Sequence, residues 1–429
     1  MSMSGALFVI FFILSGLGVP VAISLGVAGT LSIWLFTDMP FSLVAQSMFS
    51  SMNSFIMAAV PLFILVGHLM ERGGVAEKIF AFAKALVGWM PGGLGHVNII
   101  SSMIFGGISG SSVADIASIG RIEIWAMTHN SYSKGYSVAL TLTTSSLATI
   151  IPPSILMIIA GSVACQSIGL LLAAGLVPGV FIGLLFMAYN HVYTVRHHMG
   201  EPEPFDWKEL WRTSREAVPA LLTPALLLWG IIGGYFTPTE AAGVAVLYTF
   251  ALSAFYYRRI RWRDAPALLF GMARMTGTIL FIAITGKLAA WIFTYDGLPV
   301  RIAEFLGGLP IGKTGVFVLV FLFLVVVGMF MDAVAAIFIL VPVLLPAMVQ
   351  IGIDPVQFVV VLVITLALGL ITPPVGVCLF AAAQVSGMKI ESIIKASMPL
   401  FLVLGGGVLA MVIFPQIILF PLQLAGMYP

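Results

Sequence analysis

Residues 106–115 of this chain read Gly106-Gly107-Ile108-Ser109-Gly110-Ser111-Ser112-Val113-Ala114-Asp115. Three of the first seven residues are glycine and three are serine. Because each glycine costs a helix about 1 kcal/mol relative to alanine, we expect the segment from Gly106 to Ser112 to be non-helical or to form a re-entrant tip. Its carbonyls and its serine hydroxyls are neutral oxygen ligands, which suit a dehydrated monovalent cation such as Na⁺.

A weaker copy of this pattern occurs in the second half of the chain. The first copy continues after Asp115 with Ile151-Pro152-Pro153-Ser154. The second copy pairs Gly328-Met329-Phe330-Met331-Asp332 with Thr372-Pro373-Pro374-Val375-Gly376, at a slightly longer interval. A further proline follows each pair at the same distance in sequence, Pro178 after Pro152 and Pro399 after Pro373. We interpret residues 67–181 and 286–402 as an internal repeat in which Asp115 and Asp332 occupy matching places.

The composition places both copies in a membrane. Of the 429 residues, 60% are hydrophobic and 8% are charged, whereas soluble domains carry about 25% charged residues. Because a membrane span needs about 20 apolar residues, the chain has room for roughly 10 to 12 membrane segments and no large soluble domain. The net charge of +2 gives no indication of nucleic-acid binding.

The basic residues predict the orientation of the chain. They concentrate at residues 196–216 and 258–264, and short loops of this kind stay in the cytoplasm. The apolar segments 217–235 and 241–257 form a hairpin between them, and 268–290 adds one more crossing. This odd number of crossings inverts the second repeat relative to the first. Inverted repeats with broken helices are typical of secondary transporters, and chance similarity among apolar segments is the alternative.

Broken helices would expose oxygen ligands at both proline pairs. Pro153 has no N–H and frees a carbonyl one turn earlier, and Ile151 is pushed out of the helical region by the proline that follows it. A kinked helix with a purely structural role is the alternative. Carboxylates in apolar sequence, here Asp115 and Asp332, mark functional sites by default. The alternatives are a helix cap for Asp332 and an ion pair with Arg121 for Asp115.

Three other features carry predictions. The apolar run that reaches Phe36 lacks a preceding basic segment, which favours a retained membrane helix over a cleaved signal peptide. Cys165 and Cys378 lie far apart in apolar stretches, and we interpret both as packing residues. Lys287 and Arg274 also lie in apolar sequence, where they either meet a substrate carboxylate or extend to the membrane interface. The sequence contains neither an HExxH metal site nor a nucleophile elbow, so these motifs give no indication of an enzyme.

Five motifs resemble the large membrane subunit of the TRAP (tripartite ATP-independent periplasmic) transporters: residues 109–115, 151–154, 328–332, 353–355 and 372–376. The resemblance extends over essentially the whole chain. It implies an all-α polytopic membrane protein, an inverted-repeat transporter of the elevator type with two re-entrant hairpins. It also implies Na⁺-coupled import of a small organic acid, such as a C4-dicarboxylate or sialic acid, across the bacterial inner membrane. The implied partners are a small four-helix membrane subunit and a periplasmic binding protein.

The resemblance assigns roles to residues at matching positions. The first implied Na⁺ site combines a serine with three carbonyls: Ser109, Ala148, Ile151 and Pro153. The second implied Na⁺ site lies around the later proline pair: Gly328, Thr372, Pro373 and Gly376. The implied substrate contacts are Ser109, Ser111 and Asp332, and Asp115 is a further candidate.

The repeats and the resemblance divide the chain into five parts. Residues 67–181 and 286–402 would each supply a re-entrant hairpin of the transport domain and an arm. Residues 1–66, 182–285 and 403–429 would form the scaffold, and the middle one would include the cytoplasmic loops. Two other functions are compatible with the sequence. One is a self-sufficient ion-coupled carboxylate carrier or antiporter, and the other is a non-transporting membrane subunit of a larger complex.

Overall fold

The computed structural model describes residues 2–52 and 55–428, and the described part contains helices and turns but no strands. The helices of the first half are α1 (Met3–Gly16), α2 (Val21–Phe36), α3 (Ser42–Met52), α4 (Ala59–Arg72), α5 (Val75–Val87), α6 (Gly93–Ser109), α7 (Ser112–Asp115), α8 (Arg121–Thr128), α9 (Lys134–Thr144), α10 (Leu147–Ile150), α11 (Ile155–Ala164) and α12 (Ile168–Arg196). Those of the second half are α13 (Trp207–Ile232), α14 (Pro238–Ala251), α15 (Ala265–Tyr295), α16 (Leu298–Gly307), α17 (Gly312–Phe330), α18 (Ala333–Gln350), α19 (Pro355–Ile371), α20 (Val377–Ser386), α21 (Ile390–Ile413) and α22 (Gln416–Leu424). Short 3₁₀ and π-helical turns extend several of these helices.

The helices have the lengths and composition of a polytopic membrane protein, as the sequence predicts. Within the described residues, seven helices are long and apolar enough to cross a membrane, or up to nine if each bent pair is one span. The bent pairs are α4 with α5, at 70°, and residues 134–150 with α11, at 42°. Four shorter apolar helices, α1, α2, α19 and α20, add to these. The expected 10 to 12 membrane segments therefore depend on including the short helices.

The N-terminal apolar run forms two helices, so the prediction of a single membrane helix that reaches Phe36 is wrong. The break lies between Gly16 and Val21, where Gly18 takes a left-handed conformation (φ 82°) and Pro20 precedes the second helix. Helices α1 and α2 pack against each other and against α15. Apolar composition alone did not reveal the break because both helices are strongly hydrophobic.

The long helix α15 connects the two faces of the molecule. It contacts α2, α3 and α4 on one side and α18 on the other. Its 31 residues span about 46 Å, from the basic segment before Ala265 to Tyr295. On the far side of α18, helices α10, α11 and α12 of the first half pack among α18, α19 and α21 of the second half. The longest deeply buried element of this core is α19, where almost every residue is buried.

Helices α5 and α16 lie at opposite ends of α15. Lys78 and Lys84 of α5 form salt bridges with Glu216 (2.7 Å) and Glu203 (2.8 Å), which belong to the basic stretch 196–216. Helix α16 follows the other end of α15 after one turn. Both helices begin after a left-handed glycine, Gly74 or Gly297. An inverted pair of repeats requires this arrangement of its two arms.

Candidate functional site

The first glycine-containing motif breaks one helix and starts another. Helix α6 ends at Ser109, and Gly110 takes a left-handed conformation (φ 62°) that an L side chain rarely adopts. Ser111 then caps α7, and its hydroxyl accepts a hydrogen bond from the backbone N–H of Ala114 at 3.4 Å. The site therefore presents the carboxyl end of one helix and the amino end of another.

This break is shorter than the sequence predicts. Gly106 and Gly107 are helical, so the expectation of a non-helical segment from Gly106 to Ser112 is wrong except at Gly110 and Ser111. A Cβ built on Gly106 would lie 2.4 Å from the Cα of Ala148. Glycine is therefore present because α6 touches the Ala148 segment backbone to backbone, and not because the helix unwinds there.

The second motif forms a break of the same kind. Helix α17 ends at Phe330, Met331 is extended, and Asp332 caps α18. The Oδ1 atom of Asp332 accepts hydrogen bonds from the backbone N–H groups of Val334 at 2.9 Å and Ala335 at 3.4 Å. The capping alternative for Asp332 is thus confirmed.

The residue that matches Asp332 in the first repeat is Ser111, and the predicted match with Asp115 is wrong. Both Ser111 and Asp332 are N-caps directly after the break. One constant offset in numbering relates Ser111 to Asp332, and the same offset relates the prolines of the two repeats: Pro152 to Pro373 and Pro178 to Pro399. Asp115 lies one helical turn beyond the cap and corresponds to Ala336. The sequence signal for this correction was the interval from the carboxylate to the first proline, which is shorter after Asp115 than after Asp332.

The first proline pair ends α10 in the way the sequence predicts. Ile151 is extended (φ −73°, ψ 128°), and helix α11 begins at Ile155. The carbonyls of Ala148 and Thr149 lack their helical donors because the residues four positions later are prolines. The hydroxyl of Ser154 donates to the carbonyl of Thr149 instead. The carbonyl of Ala148 is left with no such donor among the described residues.

A hydrogen bond connects the second proline pair to the break between α17 and α18 in the same repeat. The backbone N–H of Val375 donates to the carbonyl of Met329 at 3.2 Å, which joins the segment after Pro374 to the end of α17. Gly328 and Gly369 touch, since a Cβ built on Gly369 would lie 2.4 Å from the carbonyl carbon of Gly328. This contact is the counterpart of the Gly106–Ala148 contact in the first repeat.

The structure brings the members of each implied Na⁺ site together. Around the first, a Cβ on Gly110 would lie 2.9 Å from the carbonyl oxygen of Pro153, and one on Gly107 would lie 3.4 Å from Ile151. Ala148 touches Gly106, one turn before Ser109 on α6. Around the second, a Cβ on Gly376 would lie 2.7 Å from the carbonyl oxygen of Thr372, and Pro373 follows directly. Gly328 completes that group.

The donor sets are chemically suited to Na⁺. Their oxygens are backbone carbonyls at broken helix ends and the hydroxyls of Ser109 and Thr372, which are hard neutral ligands. Over residues 2–52 and 55–428, no group of three or more His, Cys, Asp and Glu side chains is placed to hold a metal ion. Carbonyl and hydroxyl ligands are therefore the ones that this chain offers at the breaks.

One cavity lies between the two breaks. Its volume is about 120 Å³, and it is lined by residues of both caps and both proline segments, among them Ser111, Ser112, Thr149, Asp332 and Leu370. Met275 and Ile279 of α15 close its remaining side. Ser111 and Asp332, to which the family resemblance gives substrate contacts, thus line a common space that we call the central cavity. Ser109 lies next to it, at the end of α6.

Asp115 does not line the central cavity and does not pair with Arg121. Its side chain is fully buried, and the hydroxyl of Ser102 donates to its Oδ2 at 3.0 Å. Arg121 is exposed and forms no ion pair with Asp115 in the described part of the chain. The ion-pair alternative for Asp115 is therefore wrong.

A second buried carboxylate, Glu123, was missed by the sequence analysis. Asn98 donates from its Nδ2 to Glu123 at 2.7 Å and to Thr141 at 2.7 Å, and its Oδ1 accepts from Thr144 at 2.8 Å. Thr144 in turn lies 3.4 Å from Ser102, which links this network to Asp115. Glu123 stands close to Arg121 in sequence, so no long apolar context marked it as unusual.

The expectation that the chain has no phosphate-loop (Walker A) pattern is wrong at residues 307–314, although the pattern has no matching structure. The segment Gly-Gly-Leu-Pro-Ile-Gly-Lys-Thr fits the GxxxxGK[ST] spacing. A phosphate loop follows a strand and opens a helix, whereas this segment joins the apolar helices α16 and α17 and no strand occurs in the described residues. We do not interpret it as a nucleotide site.

The comparisons with known proteins agree with this architecture. Residues 8–417 match the family model described as "Tripartite ATP-independent periplasmic transporter, DctM component". The chain is 36% identical to the isethionate TRAP transporter permease DctMQ of Oleidesulfovibrio alaskensis, over 92% of this chain and 62% of that protein. It is 33% identical to the C4-dicarboxylate large permease DctM of Vibrio cholerae, over 92% of this chain and 91% of that protein.

A solved structure shares the fold. The YdaH transporter of Alcanivorax borkumensis superposes with a TM-score of 0.60 over 87% of each chain, at 16% sequence identity. At that identity the likeness shows the fold alone. The family match and the relatives establish the rest: the chain is not an enzyme, and it is a multi-pass membrane protein that belongs to the DctM family, the large permease component of the tripartite ATP-independent periplasmic transporters.

Proposed function

We propose that this chain is the membrane permease of a Na⁺-coupled importer of small organic acids. The observation that carries the proposal is the central cavity, in which caps from both repeats meet between two proline breaks. Secondary transporters bind substrate and coupling ions at such discontinuous helices. The hydroxyl of Ser111 and the free end of Asp332 would orient the hydroxyl or amide groups of the acid.

Two groups of ligands would hold Na⁺. Ser109 with the carbonyls of Ala148, Ile151 and Pro153 would form one, and the residues around Thr372, Pro373, Gly328 and Gly376 the other. A Na⁺ at each break would supply the positive charge that an anionic substrate needs beside Asp332. The residues of this chain contribute fixed carbonyl oxygens that are already free of helical hydrogen bonds, so little rearrangement is needed to bind the ion.

The substrate class follows from the relatives. The names of several relatives specify isethionate, C4-dicarboxylates, sialic acid and 2,3-diketo-L-gulonate. All are small organic anions with a carboxylate or sulfonate, and we propose a member of this class for this chain. The central cavity, at about 120 Å³, favours a small acid over a bulky one in this conformation.

The proposed partners are a small four-helix membrane subunit and a periplasmic binding protein. The DctMQ relative is longer than this chain, which spans 62% of it, and this fits a fusion to a second membrane component. The complex would lie in the bacterial inner membrane. We propose that residues 67–181 and 286–402 move as the transport domain of an elevator against residues 1–66, 182–285 and 403–429.

Reconstitution tests the proposal. The chain and its small subunit are placed in proteoliposomes with an inward Na⁺ gradient, and uptake of radiolabelled succinate, isethionate or sialic acid is measured with and without the binding protein encoded beside it. We expect uptake of one acid that needs both Na⁺ and the binding protein. Uptake without the binding protein would support the self-sufficient carrier, and uptake without Na⁺ would refute the proposed coupling.

A further inference from the structure

A second and larger cavity lies along the same helix as the central cavity. Its volume is about 400 Å³, and the residues that line it include Lys287, Trp291 and Thr294 of α15, Ser162 and Cys165 at the end of α11, and Phe338 of α18. Within the described part of the chain, Lys287 is the one charged residue that lines it. We call this space the outer cavity.

The outer cavity opens away from the basic loops. Helix α15 begins directly after the basic segment 258–264, and Lys287 lies near its other end. Cys165 follows the end of α11, at the turn before α12, whereas α12 reaches the basic face at Arg196. If short basic loops are cytoplasmic, the outer cavity faces the periplasm.

Helices α15 and α18 touch at Gly286 and Phe338, two residues that line the outer cavity. Gly286 and Phe338 meet so closely that a Cβ built on Gly286 would lie 2.5 Å from the Cβ of Phe338. Ile279, which closes the central cavity, precedes Lys287 by about two helical turns on α15, or about 12 Å along the helix axis. The two cavities therefore follow one seam between α15 and α18.

Lys287 has no partner that would explain its presence in an apolar helix. Its side chain is exposed, and no hydrogen bond or ion pair joins it to any other described residue. A lysine within a membrane span is costly unless it faces water or an opposite charge. The interface alternative requires the ammonium to leave the protein, whereas here it borders a cavity with the hydroxyl-bearing residues Ser162 and Thr294.

We propose that the outer cavity is an anion-binding vestibule, in which the ammonium of Lys287 holds the carboxylate or sulfonate of an organic acid before the acid reaches the central cavity. The inference rests on the proposed function for the identity of the anion. A volume of about 400 Å³ accommodates a small hydrated acid. Opening of the Gly286–Phe338 contact would then connect the vestibule to Asp332 and Ser111.

The native residue Cys165 can be used to test this proposal by chemical labelling. Cys165 is exposed at the rim of the outer cavity, so the prediction that it is a packing residue is wrong, whereas Cys378 is fully buried as predicted. The rate of reaction of Cys165 is measured with an anionic and a cationic methanethiosulfonate, each normalised to its rate with a free small thiol. The full chain in membrane vesicles is used, and Cys165→Ser verifies that Cys378 does not react.

We expect the normalised ratio of anionic to cationic rates to be roughly fivefold higher in the wild type than in Lys287→Met, from Coulomb's law across a watery gap of roughly 8 Å. Lys287→Arg should retain the wild-type ratio. Millimolar succinate or isethionate should slow the reaction of Cys165 in the wild type and in Lys287→Arg, but not in Lys287→Met. Gel filtration verifies that each variant is folded.

Two results would overturn the proposal. One is an unchanged rate ratio in Lys287→Met, which would place the ammonium outside the cavity. The other is a charge preference in the wild type that no organic acid diminishes, because the vestibule would then hold no substrate. Protection by an acid that the reconstituted complex fails to transport would instead refute the proposed function and leave the vestibule intact.

Discussion

Asp332 caps a helix with one carboxylate oxygen, and we propose that the other serves transport. Oδ1 caps α18, and among the described residues no hydrogen bond occupies Oδ2 at the edge of the central cavity. The cap holds the carboxylate in one orientation, and a negative charge at a helix N-terminus is also favourable by itself. Ser111 holds the matching position with a hydroxyl, so the two repeats contribute different chemistry to one cavity.

Asp332→Asn separates the two roles. Asparagine caps helices as well as aspartate does, so we expect the variant to fold and to unfold at nearly the wild-type temperature. Without the charge, we expect Na⁺-driven uptake in proteoliposomes to fall at least tenfold, which corresponds to about 1.4 kcal/mol. Asp332→Ala should lose the cap as well and lower the free energy of unfolding by about 1 kcal/mol.

Asp354→Asn is the matched control. Asp354 caps α19 with the same geometry, through hydrogen bonds to Val356 (2.9 Å) and Gln357 (3.0 Å), but it accepts its third hydrogen bond from Tyr428 and does not line the central cavity. Uptake should therefore survive this substitution. Wild-type uptake by a stable Asp332→Asn protein would limit Asp332 to the capping role.

The network around Asn98 predicts a different pair of outcomes. Asn98→Leu removes all three hydrogen bonds of the amide and leaves the buried Glu123 without its donor, which costs about 1 to 3 kcal/mol. Glu123→Gln keeps an acceptor for Asn98 and removes the carboxyl group. We expect thermal unfolding of the purified protein to occur at a lower temperature in Asn98→Leu and near the wild-type temperature in Glu123→Gln. Equal losses in both variants would mean that the carboxyl group of Glu123 is needed.

At the scale of elements, each break depends on a contact between two helix backbones. The contact between Gly106 and Ala148 lies at the first break, and the contact between Gly328 and Gly369 lies at the second. The prolines four residues after Ala148 and Gly369 free the carbonyls at those contacts. The close approach and the free carbonyls therefore occur at the same point in each repeat, which gathers the oxygen ligands of the proposed Na⁺ sites.

Gly106→Ala tests the importance of this approach. The added methyl group would lie 2.4 Å from the Cα of Ala148, where only a shift of backbone relieves the overlap. We expect a loss of about 1 to 3 kcal/mol in stability and a weaker dependence of uptake on Na⁺. Gly277→Ala is the control, since a Cβ there meets nothing within 4 Å and alanine favours the helix by up to about 1 kcal/mol. Thermal unfolding of both variants should therefore shift in opposite directions.

At the scale of the whole molecule, the basic segments and the outer cavity lie at opposite ends of α15. This polarity predicts that the segments at Lys208 and Arg261 are cytoplasmic. A cysteine introduced at either position, in a Cys165→Ser background, should resist a membrane-impermeant maleimide in intact cells and react after lysis. The native Cys165 should react in intact cells. Strong labelling at Lys208→Cys or Arg261→Cys from outside would contradict the inverted repeat.

The membrane class, the repeat and the breaks at the two proline pairs could be predicted from the amino-acid sequence, whereas the break between α1 and α2 could not. An apolar composition indicates that the chain lies in a membrane, and a proline lacks a backbone N–H donor whatever surrounds it. Both properties can therefore be read without knowing the contacts between helices. The extended Ile151 and the start of α11 after the proline pair followed from that local chemistry. The residues of both implied Na⁺ sites, in contrast, were named from the resemblance to the TRAP large subunit, position by position.

How those local features pair could not be predicted, because it depends on the packing of the helices. Whether Gly106 unwinds a helix or admits a neighbour depends on Ala148, which is remote in sequence. The match of Ser111 with Asp332, the burial of Glu123 and the exposure of Cys165 likewise depend on partners from other helices. The spacing of glycines and prolines along the sequence indicates where a helix breaks. Which face of a helix lines a cavity depends instead on packing between segments that are far apart along the chain.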